Sequence, residues 1–167
     1  MAAVMAARVA GCTTVISVDR HQSRLDLALE LGATHVINTS DTEMLDGIME
    51  ITGGGADAIL DTTALPQLLV AAAQALAIRG TLALVGAAKP GTEAPFEIGG
   101  SLVKGWTFKT IVQGSAVPQD FIPRLVSLWK QGHFPVDRLV ETYRVEDINE
   151  AFEASESGAV VKPVVLW

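Results

Sequence analysis

Short runs of apolar and β-branched residues alternate along this chain with longer segments in which apolar residues recur every three or four positions. The short runs are apolar throughout, as in strands buried on both faces of a parallel sheet, and the longer segments are typical of amphipathic helices. The pattern predicts strands at residues 14–18, 34–38, 56–61, 81–85, 106–112, 139–144 and 162–167. It predicts helices at residues 2–10, 23–31, 41–52, 65–78, 118–131 and 145–157, with a short helical turn at 99–103. This alternation indicates an α/β fold with helices on both faces of a doubly wound parallel sheet.

Capping and turn residues support several of these boundaries. Ser23 and Asp41 are N-cap candidates for the second and third helices, and Gly32 is placed as the C′ residue of the second. Pro66 lies in the first turn of its helix, where a missing N–H is tolerated. Residues 79–80 are expected to turn the chain into the following strand.

The rhythm changes after residue 135. Residues 1–134 carry the regular strand–helix alternation and are predicted to form one domain. Residues 135–167 are predicted to form a separate strand–helix–strand segment, with the boundary within residues 132–137.

Composition narrows the class of protein. With 167 residues, 49% of them hydrophobic and 19% charged, the chain can bury a sizeable core. Its net charge of −7 argues against nucleic acid or an anionic membrane surface as a partner.

The chain also lacks the signals of export. No apolar run reaches the roughly 18 residues that a membrane span needs. Arg8 interrupts the alanine-rich start, so we expect a cytoplasmic location rather than a signal peptide. Cys12 is the only cysteine, which excludes an internal disulfide and a cysteine-rich zinc site.

Residues 14–24 carry the strongest candidate for ligand binding. An apolar strand ends at Asp19 and a helix follows. An acid at the carboxyl end of such a strand can accept hydrogen bonds from both hydroxyls of an adenosine ribose, and its charge repels a 2′-phosphate. The alternative is that Asp19 merely ends the strand and caps a turn.

The string GGGADA at residues 53–58 matches a dinucleotide-binding pattern in letters only. It follows a helix and precedes a strand, whereas phosphate binding needs a strand, a turn and then a helix N-terminus. We therefore expect it to end a helix. In a dinucleotide fold the phosphate loop would precede residue 2, so the predicted sheet lacks its first strand and glycine-rich loop.

Basic and small residues supply further candidates. Arg24 follows Asp19 by five residues and could reach the same ribose, or it could be a solvated helix residue. Arg20 could lie along the adenine or accommodate a 2′-phosphate, which keeps NADP open. Lys162 could contact a phosphate or be a surface lysine.

The carboxyl ends of two later strands carry Thr62 and Thr63, and Gly86 and Ala87. Ligands bind at this edge in open α/β sheets, and small residues let the backbone approach a flat ring, although an ordinary tight turn has the same residues. The three histidines are scattered and form no metal-binding or triad spacing.

Four stretches resemble one known family: AAVMAARVAGCTTVISVDRHQSRLDLALELGATHVIN, LVGAAKPGTEAPF, IVQGSAVPQDFIPRLVSLWKQGHFPVDRL and VEDINEAFEASESGAVVKPVVL. They are similar to the C-terminal half of zinc-dependent medium-chain alcohol dehydrogenases, in particular the aryl-alcohol (benzyl-alcohol) branch. The resemblance implies a Rossmann domain at residues 1–134, NAD as cofactor, and oxidation of a primary alcohol to an aldehyde in the full-length family. It also implies a C-terminal segment that returns to the catalytic domain.

The resemblance implies a role for each candidate. Asp19 would bind the adenosine ribose with Arg24 beside it, and Lys162 would lie near the pyrophosphate. Thr62 and Thr63 would flank the adenosine side. The nicotinamide end would meet backbone groups of Val85, Gly86, Ala87, Val112 and Gln113. The strand at residues 106–112, from Trp106 to Val112, resembles the edge through which family members form dimers.

The family's zinc ligands and catalytic domain have no counterpart in these residues. We therefore expect a truncated piece without catalytic residues of its own, inactive alone and a weak binder of NAD. Two alternatives stay open. One is a phospho-receiver module with Asp61 as acceptor and Lys109 as its lysine, and the other is a dimerising fragment without a ligand.

Overall fold

A computed structural model describes all 167 residues, which form seven α-helices and seven β-strands in near-regular alternation. The helices are α1 (Ala2–Val9), α2 (Gln22–Glu30), α3 (Met44–Thr52), α4 (Pro66–Gln74), α5 (Ile98–Lys104), α6 (Pro118–Lys130) and α7 (Ile148–Ser157). The strands are β1 (Ile16–Asp19), β2 (His35–Asn38), β3 (Ala56–Asp61), β4 (Leu76–Leu84), β5 (Thr107–Thr110), β6 (Val140–Arg144) and β7 (Lys162–Leu166). Short 3-10 turns lie at Gln113–Ser115, Val136–Leu139 and Val145–Asp147.

The strands pair in three groups. β1 pairs with β2, β3–β4–β5 form a parallel sheet in that order, and β6 pairs with β7 in parallel. The prediction of parallel strands with helical crossovers is confirmed for β3–β4, β4–β5 and β6–β7.

The chain divides into two compact units. The first comprises residues 1–36 and 119–167, and the second comprises residues 37–118. The predicted boundary between residues 134 and 135 separates the dinucleotide-binding domain from the segment that returns to the catalytic domain in the family. This assignment stays a prediction.

Each unit has its own apolar core. In the first unit the side chains of Met5 and Ala28 are almost fully buried and pack with Val15 and Phe134. In the second unit the face of α4 is buried against β4, where Leu76 and Leu82 are fully enclosed. These buried faces follow the apolar periodicity of the sequence.

The region between α4 and β4 differs from the sequence prediction. The predicted helix at 65–78 ends at Gln74, and residues 76–78 already belong to β4. The predicted turn at residues 79–80 is a bulge inside this strand, where Arg79 has a φ of 64°. Ala56 pairs with Leu76 whereas Ala58 pairs with Thr81, so the extra residues of β4 loop out of the ladder.

Two predicted N-caps are wrong. α2 begins one residue before Ser23, with His21 as the N-cap residue. α3 begins at Met44 rather than near Asp41, because the amides of Asp41 and Thr42 both donate to the Asn38 carbonyl and form a turn there. The turn at Asn38 therefore forms in place of the helix N-cap that the sequence predicts at Asp41.

The glycines at residues 53–55 end a helix, as predicted. Gly53 adopts the left-handed conformation at the end of α3, with a φ of 68°. Gly55 packs against the backbone of β4, where an added Cβ would lie 2.5 Å from the Ala77 nitrogen. These glycines therefore serve a turn and a close backbone approach.

Candidate functional site

Asp19 ends β1 and is half-buried. Its Oδ1 accepts a hydrogen bond from the His21 backbone N–H at 3.0 Å, which fixes the turn into α2. No protein donor reaches its Oδ2. The hydrogen bond to Oδ1 fixes the orientation of the carboxylate. Oδ2 therefore lies at the carboxyl end of the strand, where it can accept a hydrogen bond from a ligand hydroxyl.

Arg24 lies on the first turn of α2, in the same unit. Its Nε is buried and has no hydrogen-bond partner. Leaving such a donor unpaired costs roughly 1–3 kcal/mol, so the arrangement calls for an explanation. Neither of the two ion pairs in the structure, Arg138–Glu30 and Arg144–Glu146, involves Arg24.

The amine of Met1 reports on the charges around this site. Burial lowers the pKa of the Met1 amine, the negative charge of Asp19 opposes this, and the positive charge of Arg24 adds to the lowering. Asp19 and Arg24 therefore both act on the start of α1.

Arg20 is exposed and turned toward its neighbour. Its Nε donates to His21 Nε2 at 3.1 Å, so His21 accepts through that nitrogen. Gly158, which follows α7, lies against His21 and Arg24: a Cβ added there would be 3.4 Å from Arg24 Nη2, 3.6 Å from Arg24 Nε and 3.6 Å from His21 Nε2. The α7–β7 turn therefore packs against one side of the cluster formed by Arg20, His21 and Arg24.

Lys162 is the first residue of β7 and is exposed. Its backbone pairs with Val140 of β6, and neither of the two ion pairs involves it. No hydrogen bond or ion pair joins Lys162 to Asp19 or Arg24. Its predicted role near a pyrophosphate stays a prediction.

The second unit presents a separate group of candidates at the carboxyl edge of β3, β4 and β5. Asp61 ends β3 and is only 9% exposed. Its Oδ1 accepts from the amides of Thr63 at 3.0 Å and Ala64 at 2.8 Å, and its Oδ2 accepts from the Thr63 hydroxyl at 2.9 Å. Both carboxylate oxygens are therefore used within the turn.

Thr62 and Thr63 are exposed in that turn. The Thr63 hydroxyl donates to Asp61 and accepts from the Leu65 amide at 3.2 Å, so a ligand could reach only its remaining lone pair. Gly86 lies directly beside them: an added Cβ would be 2.8 Å from the Thr62 carbonyl and the Ala64 nitrogen. The structure thus brings Thr62, Thr63 and Gly86 together.

The remaining predicted residues lie along the same edge. The N–H of Val85 donates to the Asp61 carbonyl at 3.0 Å and so connects Val85 to the end of β3. Ala87, two residues further on, is exposed. Val112 and Gln113 come just after β5 and are exposed, and Gln113 has a φ of 49°. Together with Gly86, these four residues offer backbone groups and uncharged side chains, and none of the five is an acid, a base or a nucleophile.

Sequence reasoning assigned no role to His21 or Gly158 and misjudged Asp61. The signal for Asp61 was its position at the end of a strand followed by two threonines, a typical side-chain–backbone turn. Gly158 follows an amphipathic helix and reads as a C-cap, but nothing in the sequence connects it with Arg24, 134 positions earlier.

No group of three or more His, Cys, Asp or Glu side chains is arranged so that it could hold a metal ion. Zinc therefore has no fitting donor set among these residues, and no step through a metal is derived. No helix is long and apolar enough to cross a membrane.

Parallel strands with helical crossovers, an acid ending β1 and small residues at the ends of β3 and β4 define an α/β chain of the dinucleotide-binding class. Comparison with known proteins gives the family: residues 1–131 match the zinc-binding dehydrogenase family model, and the chain belongs to this family.

Named relatives agree with this assignment. The chain is 38% identical to geraniol dehydrogenase of Castellaniella defragrans over 168 residues, which cover 100% of this chain and 45% of that protein. It is 44% identical to the crystal structure of benzyl alcohol dehydrogenase from Acinetobacter calcoaceticus, with a TM-score of 0.95 over 98% of this chain and 45% of the other. An alcohol dehydrogenase zinc-binding domain protein from Burkholderia ambifaria is 53% identical, with a TM-score of 0.95 over 98% and 44%.

These comparisons confirm the resemblance to the zinc-dependent medium-chain alcohol dehydrogenases and the Rossmann-like α/β fold class. The chain spans about 45% of the length of the relatives that it matches. The phospho-receiver alternative is wrong: the family match excludes it, and the Asp61 carboxylate is buried and fully engaged.

Proposed function

We propose that this chain forms the NAD-binding portion of an alcohol dehydrogenase that oxidises a primary, aromatic alcohol to an aldehyde. The names of the relatives support the reaction class: one is a geraniol dehydrogenase and another a benzyl alcohol dehydrogenase. In this proposal residues 1–134 are the dinucleotide-binding domain and residues 135–167 the segment that returns to the catalytic domain.

The proposal rests chiefly on one observation, the geometry of Asp19. Its Oδ1 is held by the His21 amide while Oδ2 has no protein donor. A ribose diol has two hydroxyls that can donate to such a carboxylate. The unpartnered Nε of Arg24 nearby supports the presence of a polar ligand at this site.

The same carboxylate supports NAD over NADP. A 2′-phosphate would bring a like charge to about 4 Å from Asp19, which costs roughly 4 kcal/mol at an effective dielectric constant near 20. Arg20 could offset part of this cost, but its Nε is hydrogen-bonded to His21. NADP is therefore the minor alternative.

The carboxyl edge of the second unit fits the remaining roles in the proposal. Thr62 and Thr63 would flank the adenosine side, and Lys162 in the first unit would face the pyrophosphate. Backbone groups of Val85, Gly86, Ala87, Val112 and Gln113 would orient the nicotinamide ring. The nicotinamide, when bound, accepts the hydride; these residues would bind and orient it, and none of them is assigned a proton-transfer role.

Calorimetry with NADH tests the proposal. We expect the 167-residue chain to bind NADH weakly and Asp19→Ala to weaken binding by about tenfold or more, because a charge-assisted acceptor is lost. Asp57→Ala, which removes an exposed aspartate of β3, is the charge-matched control. Equal affinity of Asp19→Ala and the wild type would contradict the assignment.

A homo-oligomer through β5 belongs to the same proposal. β5 lies at the edge of its sheet, all four of its residues are exposed, and Ile98 and Leu102 of α5 are more than 80% exposed. An unpaired edge with apolar neighbours favours pairing with a second copy. Ultracentrifugation should show dimers that Phe108→Glu dissociates, and a monomeric wild-type chain would oppose this part.

A cytoplasmic location is also proposed, consistent with the unpaired exposed thiol of Cys12.

A further inference from the structure

The orientation of Arg24 needs a cause, because no acid holds it. Its Nε is buried, has no partner, and takes part in neither ion pair. A flexible arginine keeps such an orientation only when packing restricts it. The side chain of Arg24 is therefore held by the residues that pack against it.

Gly158 is one of these residues. It is buried at the end of α7 and has a φ of 79°, which favours glycine. Its turn is fixed by hydrogen bonds from its own N–H to the Ser155 carbonyl at 3.3 Å and from the Val160 N–H to the Ala154 carbonyl at 3.1 Å. The position that a Cβ would occupy is 3.4–3.6 Å from two nitrogens of Arg24 and from His21 Nε2.

Space at Gly158 is therefore limited to about one methyl group. A side chain extending beyond Cβ toward the cluster would meet the guanidinium and the imidazole. His21 in turn holds both Asp19, through its backbone N–H, and Arg20, through its ring. A displacement at this turn would thus reach Arg24 and His21 directly, and Arg20 through the His21 ring.

We propose that Gly158 is a positioning residue of the adenosine-ribose site: the α7–β7 turn fixes Arg24 and His21 beside Asp19. This inference rests on the proposed function of Asp19. It assigns to the C-terminal segment a part in binding the adenosine half of the cofactor.

Titration of the chain with ADP-ribose, followed by NMR chemical shifts, tests this inference. Asparagine tolerates the left-handed conformation, so Gly158→Asn retains the turn while its side chain enters the cluster. We expect it to raise the Kd for ADP-ribose by about tenfold, as for a displaced charge-assisted donor. Gly132→Asn is the matched control, since Gly132 has a φ of 75° and no atom within 4 Å of an added Cβ; it should leave Kd within about twofold.

A double-mutant cycle separates positioning from general damage. If Gly158 acts through Arg24, Gly158→Asn should have little further effect on Kd in an Arg24→Ala background. The Nε–H resonance of Arg24 should move in Gly158→Asn and not in Gly132→Asn. Should Gly158→Asn fail to fold, the Nε–H resonance of Arg24 in Gly158→Ala replaces Kd as the readout. The added Cβ lies 3.4 Å from Arg24 Nη2 and 3.6 Å from its Nε, so we expect this resonance to move, and an unmoved resonance would contradict the positioning role.

The outcomes are distinguishable. Equal Kd values for the Gly158 and Gly132 variants, while Asp19→Ala abolishes binding, would overturn the positioning role alone. An undiminished effect in the Arg24→Ala background would also overturn it. If the wild type binds no ADP-ribose, or Asp19→Ala binds it equally well, the proposed function itself fails and this inference fails with it.

Discussion

Two aspartates end strands in this chain, Asp19 at the end of β1 and Asp61 at the end of β3, and their surroundings differ. Asp61 is 9% exposed, and its two oxygens accept three hydrogen bonds from Thr63 and Ala64. Asp19 is half-buried, and only its Oδ1 accepts a protein hydrogen bond, from His21. An aspartate at the end of a strand is therefore structural when its own turn donates hydrogen bonds to both carboxylate oxygens. It is available to a ligand when one of the two oxygens accepts no hydrogen bond from the protein.

The largest expected difference between the two is in stability. Asp61→Ala should lower the free energy of unfolding by about 2–4 kcal/mol, because it leaves the buried Ala64 amide and the Thr63 amide without acceptors. Asp19→Ala removes one part-buried hydrogen bond and should cost about 1 kcal/mol or less. Urea unfolding of both variants checks this.

Asp61→Asn is the control for that prediction. It keeps one side-chain oxygen for the two amides, so its loss of stability should be clearly smaller than that of Asp61→Ala. If Asp19→Ala proved as destabilising as Asp61→Ala, the distinction between a structural and a ligand-binding aspartate would be lost.

The turn built by Asp61 should also resist any added bulk at Gly86. A Cβ at this position would lie 2.8 Å from backbone atoms of Thr62 and Ala64, which cannot move aside as a flexible side chain would. Gly86→Ala should therefore lower the free energy of unfolding by about 1–3 kcal/mol. Gly54→Ala, where no atom lies within 4 Å, is the control, and a loss of stability as large as that of Gly86→Ala would argue against close packing as the cause.

A smaller effect is expected from Lys104, which caps α4 at the opposite end of the same sheet, where β4 and β5 begin. Its Nζ donates to the carbonyl of Gln74, the last residue of α4, at 2.5 Å and to the carbonyl of Leu76, the first residue of β4, at 2.7 Å. Lys104→Met keeps most of the apolar stem and should cost about 1 kcal/mol in thermal unfolding experiments. Lys109→Met, on the exposed strand β5, should cost less, and the opposite order would exclude the capping role.

The alternation of strands and helices could be read from the sequence because it follows apolar periodicity. The bulge at Arg79 could not, because it depends on the register between β3 and β4, which no local pattern encodes. Asp41 failed as a cap because a turn onto the Asn38 carbonyl uses its backbone N–H, and Ser23 failed because α2 begins one residue earlier, after His21.

The candidate site shows the same division. Asp19, Arg24 and Gly86 were recognisable because each belongs to a local pattern at the end of a strand or the start of a helix. The burial of Asp61 and the proximity of Gly158 to Arg24 arise from tertiary packing. Residues that are distant in the chain leave no joint signal in a single sequence.

The most direct measurement is a crystal structure of the chain soaked with ADP-ribose. We predict that both ribose hydroxyls of the adenosine half lie within about 2.5–3.0 Å of the Asp19 carboxylate oxygens, the range for O–H···O hydrogen bonds. An adenosine ribose bound elsewhere, with the Asp19 carboxylate facing only solvent, would contradict the account.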